Sequence, residues 1–149
     1  MSNYATNEDL MELVGSEIFD HGVEDFGDEL GKATSDVKRY IEVNWFNQAA
    51  RRGYSRPQTS IGSVFDTDKL TAAQWKHSTI YLAMYRYILP RLSPFRGDDS
   101  FTNKISFYRE RYFEEIKEEM AKGVEYDTND DGVIQQSEIN RFNKSRVYR

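Results

Sequence analysis

The stretch 71–89, TAAQWKHSTIYLAMYRYIL, constrains the fold of this chain more than any other. Read at helical spacing, one face carries Ala73, Ile80, Tyr81, Met84, Tyr87 and Ile88, and the other carries Trp75, Thr79, Leu82 and Leu89. A helix that is apolar nearly all round must be covered on all sides, which places it at the centre of a bundle. Thr71 and Gln74 read as a capping box at its start. Pro90 and Pro94 read as its end, because proline lacks the backbone donor a helix needs.

The remaining helices are expected to cover that central one. Thr6 and Asp9 form a capping-box pattern ahead of Leu10, Met11, Leu13 and Val14, a short helix stopped by Gly15. Residues 16–28 read as irregular. A long helix fits about 29–51, with Leu30, Ala33, Val37, Ile41 and Trp45 recurring at three- and four-residue steps. A last long helix fits about 99–122, with a buried stripe of Phe101, Ile105, Tyr108, Tyr112, Ile116 and Met120 and a charged outer face of Glu110, Glu114, Lys117 and Lys122. The fold class is all-α: a small helical bundle with long central helices and a long loop at 53–69, of a length that is usually functional or mobile. A short β-hairpin is expected around 124–134, pairing Val124-Glu125-Tyr126 with Val133-Ile134. Residues 1–138 form one domain and 139–149 an extended basic tail.

Composition removes several chemistries. The 149 residues contain no cysteine, so thiol catalysis, thiolate zinc sites and disulfides are excluded. The imidazoles are limited to His21 and His77. His21 lies in an acidic stretch, and His77 reads as a core residue beside Trp75. No phosphate-binding glycine loop, G-x-S-x-G or H-E-x-x-H is present. Glu114-Glu115 and Glu118-Glu119 read as a solvated helix face. No enzyme is expected. No run approaches the roughly 18 apolar residues of a membrane span. The first residues, MSNYATNEDL, lack the basic and apolar regions of a signal peptide, so an intracellular product is expected.

Residues 127–138, DTNDDGVIQQSE, match a calcium loop of the EF-hand type. Asp127, Asn129 and Asp131 stand at loop positions 1, 3 and 5. Gly132 stands at the sharp turn, the Val133 carbonyl at position 7, Gln135 at the water-holding position 9 and the bidentate Glu138 at position 12. Calcium takes about six to eight oxygens, and alternate positions of a tight loop supply them. Gly123, preceded by Lys122 and followed by Val124, reads as a helix C-terminal stop. The incoming helix then ends four residues too early for an ordinary EF-hand, and no second loop is available to pair with. Both features weigh against an ordinary EF-hand, and the plain reading is an Asp/Asn/Gly turn whose acids are solvated; a single calcium-binding regulatory module is the alternative function, with calcium the one cofactor considered.

The net charge of −5 hides an asymmetry. Residues 1–31 hold nine acids and no Lys or Arg. The tail 139–149 holds Arg141, Lys144, Arg146 and Arg149 and no acid, and a second basic cluster is Arg51, Arg52 and Arg56. An acidic end and a basic end on one chain suit head-to-tail contact between copies. Sequence-specific nucleic-acid recognition is not expected of an acidic chain whose first 31 residues would repel a polyanion.

Four segments, in order, carry a resemblance: YATNEDLMELVG, ATSDVKRYIEVNW, LTAAQWKHSTIYLAMYRYILPRLS, and DSFTNKISFYRERYFEEI with a tail ending RVYR. Together they resemble the head–tail connector, or neck adaptor, proteins of tailed bacteriophages over nearly the whole chain. The resemblance implies a helical-bundle subunit of the virion, assembled in the bacterial host cytoplasm. It implies a ring, typically of twelve copies, that sits below the portal protein, extends the channel for passing DNA and docks the next neck or tail protein. The tail, with Arg141, Lys144, Arg146, Tyr148 and Arg149, would reach the portal. No metal role is carried over from that family to Asp127–Glu138.

Overall fold

The computed structural model describes residues 3–46, 65–92, 99–127, 132–134 and 139–140. Most of them are helical. Helix α1 spans Asn7–Val14 and is built as its sequence dictates. The Thr6 hydroxyl accepts from the Asp9 N–H at 3.2 Å, and the Asp9 carboxylate accepts from the Thr6 N–H at 3.0 Å. This reciprocal pair satisfies two of the donors a helix start leaves open. At the other end Gly15 has φ 101°, a backbone angle that side-chain-bearing residues avoid. A 3₁₀ turn at Glu17–His21 follows, so the segment expected to be irregular carries one turn of helix.

Helix α2 spans Gly27–Ile41 and continues as a π-helical turn over Glu42–Phe46. Residues 47–51 of the predicted helix lie outside the described residues. Its start is held by long-range contacts rather than by its own cap. Asn7 accepts from the Phe26 N–H and donates to Asp25, whose carboxylate accepts from the Gly27 N–H. Those two hydrogen bonds, the Asn7 amide first, hold the Asp25 carboxyl below the usual carboxylate range. Leu30, Ala33, Val37, Ile41 and Trp45 are all buried, as their spacing predicts.

The central stretch departs from a uniform helix. It runs as a 3₁₀ turn at Ala72–Trp75, helix α3 at Lys76–Ala83, a π-helical turn at Met84–Ile88 and helix α4 at Leu89–Leu92. The Thr71–Gln74 capping box does not form, because Thr71 makes no side-chain cap bond. Gln74 is engaged elsewhere, donating to the Gly123 carbonyl and accepting from the Glu125 N–H. Pro90 does not end the helix; it lies within α4. The wider π turn ahead of it shifts the hydrogen-bond register and relieves the clash of a proline ring with the preceding turn. Pro94 lies outside the described residues.

Helix α5 spans Asp99–Lys122, and the central stretch packs between α2 and α5. Trp75, Ile80, Leu82, Met84, Ile88 and Leu89 are all at most 1% exposed, but burial is not complete on every side: Tyr81 and Tyr87 are half-buried and Ala73 is exposed. On α5, Tyr112 and Ile116 are buried and Ile105, Tyr108 and Met120 are half-buried, while the Phe101 side chain lies outside what is described. His77 is a correction. Its side chain is 52% exposed and faces Glu115 at 4.0 Å, because α3 turns that face outward rather than into the core. Two polar clips fasten α2 to the central stretch. Arg91 donates to the buried Glu29, and the Tyr87 hydroxyl donates to Asp36.

The hairpin expectation is corrected in its pairing. Strand β1, Val124–Glu125, pairs antiparallel with strand β2, Ile139–Asn140, in the register Val124↔Asn140 and Glu125↔Ile139. Val133 and Ile134 lie inside the enclosed loop instead. A ladder at 139–140 leaves the whole acidic turn between the two strands, where a pairing at 133–134 would have cut through it.

Candidate functional site

The acidic turn starts from a heavily anchored residue. Tyr126 is fully buried. Its ring lies 5.4 Å from Trp45 and stacks on Phe65 at 6.1 Å, with the Lys69 ammonium 5.9 Å from its centroid. Its hydroxyl accepts from the Asp66 N–H at 3.1 Å. The backbone on both sides is pinned too. Leu70 and Tyr126 form an isolated antiparallel bridge, and the Asp127 N–H donates to the Lys69 carbonyl at 2.9 Å. One residue earlier still, Gln74 clamps Gly123 and Glu125 as a two-pronged staple, at 2.7 and 3.1 Å. The segment 65–75, expected in part to be loop, is thus the platform on which the turn is mounted.

Two of the five predicted calcium ligands are described. Asp127 is 8% exposed, and its carboxylate accepts from the Gly132 N–H at 2.8 Å. Gly132 has φ 80°, the left-handed conformation that position 6 of such a loop requires. That bond joins Gly132 to Asp127, the residue expected at loop position 1. Val133 is 61% exposed, so its backbone is close to the surface of the turn. Asn129, Asp131 and Glu138, with the water-holding Gln135, lie outside the described residues. Among the described residues no three carboxylate or imidazole side chains stand close enough to hold a metal.

The approach to the turn differs from that of an EF-hand, as Gly123 predicts. Helix α5 ends at Lys122, Gly123 has φ 110°, and its N–H donates to the Glu119 carbonyl at 3.2 Å. The chain then enters Asp127 as a strand. A helix entering such a loop can swing when the loop tightens. A strand bridged to Leu70 and plugged by Tyr126 is fixed at its base.

The predicted partner residues Arg141, Lys144, Arg146, Tyr148 and Arg149 lie outside the described residues, as do Arg51, Arg52 and Arg56. Sequence reasoning missed a second feature, a cleft of about 350 Å³ between α2, the central stretch and α5. It is lined by Arg39, Val43, Arg86, Tyr112 and Phe113 among others. Val43 and Phe113, 49% and 39% exposed, leave apolar surface open in this cleft. The signal was present in α5, where Phe107 and Phe113 fall off the predicted buried stripe. Burial raises the Tyr112 hydroxyl well above its ordinary pKa, so it stays a neutral group there. No helix among the described residues is long and apolar enough to cross a membrane. Comparison with protein-family models, with curated proteins and with solved structures finds no match.

Proposed function

We propose that this chain is a structural virion protein, a neck adaptor of a tailed bacteriophage. Copies form a ring beneath the portal, extend the DNA channel and dock the next neck or tail protein. The observation that carries the proposal is the order of the four resembling segments, taken with their helices: α1 at Asn7–Val14, α2 at Gly27–Ile41, the central stretch, and α5 at Asp99–Lys122. A bundle built around one buried helix, with an acidic leading end and a basic trailing end, suits a subunit that meets neighbours on several sides. The tail residues Arg141, Lys144, Arg146, Tyr148 and Arg149 are the proposed portal contact. They carry four cations and few apolar anchors. The test mixes the purified chain with portal particles and images them. Rings at the portal vertex are expected, and deleting 143–149 should abolish them while leaving helicity and melting almost unchanged. Rings that survive the deletion, or a truncated chain that unfolds, overturn the assignment of the tail. No ring with the intact chain overturns the adaptor.

One observation favours a second reading, a calcium-binding module. The Asp127–Gly132 hydrogen bond at 2.8 Å and the left-handed Gly132 suit loop positions 1 and 6 of such a site. Asp127, Asn129, Asp131, the Val133 carbonyl and Glu138 would hold the ion. A strand entry in place of a helix predicts weak binding, on the order of 10⁻⁴ M, as in the weaker modules of this class. Magnesium should compete poorly, since it demands a tight octahedron that the loop does not impose. Calorimetry decides: one calcium per chain is expected, and none for Glu138→Gln. Equal heats in both proteins leave only an acidic turn. A large helical change on binding would favour a sensor over an adaptor.

A further inference from the structure

The acidic first helix and the aromatic cleft lie on opposite sides of the central stretch. Helix α3 turns Lys76, His77 and Ile80 toward Asp9, Glu12 and Leu13 of α1. It turns Leu82, and the π turn after it turns Tyr85 and Arg86, into the cleft. Ile80 and Leu82 are about 200° apart around a helix, so the two surfaces point away from each other.

The surfaces are complementary. On α1, Glu8, Met11 and Glu12 are exposed, and their spacing puts them on one face. Met11 is 46% exposed, an apolar centre with a carboxylate on either side. In the cleft Val43 and Phe113 form an exposed apolar floor, and Arg39 and Arg86 stand exposed beside it. Arg109 lies 5.8 Å from the Phe113 ring and adds positive charge to that edge. Asp36 is the acid of the cleft, and it is held by the Tyr87 hydroxyl, with Arg86 at 3.9 Å. We infer that the cleft receives α1 of a second copy of this chain, with Met11 against Val43 and Phe113 and with Glu8 and Glu12 facing Arg39 and Arg86. A flexible thioether suits an aromatic floor of this kind. Because donor and acceptor surfaces differ, the contact is heterologous. It propagates from copy to copy and closes into a ring or runs on as a filament.

The inference rests on the ring reading of the function for the assembly it serves, but its test needs no portal. The chain has no cysteine, so Met11→Cys and Val43→Cys report only on themselves. The full-length double variant, oxidised with copper phenanthroline at low ionic strength, should give a ladder of dimers, trimers and larger species on a non-reducing gel. An equal mixture of the two single variants should stop at the mixed dimer. Arg39→Glu with Arg86→Glu should lower the ladder on the order of tenfold, since reversing two exposed charges turns two attractions into repulsions. Adding Glu8→Arg and Glu12→Arg should restore it, and salt should weaken the parent ladder. Circular dichroism on each variant confirms that the bundle is folded. No ladder, a dominant Met11→Cys homodimer, or no rescue by the second charge swap overturns the inference. Portal rings that form without the Met11–Val43 link defeat this interface and leave the adaptor standing. A ladder with no portal ring does the reverse.

Discussion

Single side chains at two helix ends decide how this chain starts and where its longest helix stops. Thr6 and Asp9 exchange hydrogen bonds at the first residue of α1. Thr6→Ala removes the hydroxyl that accepts from the Asp9 N–H and should cost about 1 kcal/mol, within the usual 0.5–2 for a lost cap. Thermal melting would measure it, and a cost near zero would show that α1 is held by Leu10 alone. The Asp9 carboxyl is held below the usual carboxylate range, first by the Thr6 N–H and further by the Thr6 hydroxyl and Lys76 at 3.5 Å. A depressed folded-state value stabilises the protein above the unfolded carboxylate range. That stabilisation is lost as the pH falls through the lowered folded value. Stability should therefore decline on the acid side of the usual carboxylate range, and less steeply in Asp9→Asn. At Gly123 the φ of 110° forbids a comfortable side chain, so Gly123→Ala should destabilise the end of α5 rather than lengthen it.

At the scale of elements, the central stretch and its two flanking helices carry the packing. Leu82 is 1% exposed between α2 and α5. Leu82→Ala should cost roughly 2–5 kcal/mol, the range for truncating a well-packed core side chain. Denaturant melts would show it, and a cost under about 1 kcal/mol would place the core elsewhere. Gln74 is the hinge between this stretch and the strand that leads to the acidic turn. Its two bonds reach Gly123 and Glu125, 49 and 51 residues away in sequence. Gln74→Ala leaves a carbonyl and an N–H without that partner, at about 1–3 kcal/mol for groups removed from water. Gln74→Glu keeps the acceptor for Glu125 but sets a carboxylate against the Gly123 carbonyl. Amide exchange at Glu125 should rise in Gln74→Ala, less in Gln74→Glu, and not in Thr71→Ala, whose side chain caps nothing.

At the scale of the whole molecule, the strand that leads into the acidic turn is packed into the bundle. Tyr126 packs on Trp45 from the end of α2 and on Phe65 from the segment before the central stretch. If calcium binds the folded turn and not the unfolded chain, saturating ion stabilises the entire bundle. At about 100 times the dissociation constant the gain is about 2.7 kcal/mol. Melting with and without calcium, in the parent and in Glu138→Gln, should show the rise in the parent alone. Much of this architecture was legible in the sequence. The all-round apolar pattern of 71–89, the Thr6–Asp9 box, the stop at Gly123 and the tight Gly132 turn follow from spacing and from contacts within about four residues. What only the tertiary structure decided depends on groups far apart along the chain. Gln74 leaves its expected cap because Gly123 and Glu125 compete for it. Arg91, 62 residues from Glu29, neutralises a buried acid that no local pattern marks as buried. Pro90 stays helical because a π turn precedes it, and Val124 pairs with Asn140 rather than with the nearer Val133. Phe113 falls off the buried stripe in the sequence, but the cleft it borders exists only once α2 and the central stretch are placed against α5. Hydrogen-bond caps and apolar periodicity are local and can be read along a sequence; competition for a partner is settled only when distant segments meet.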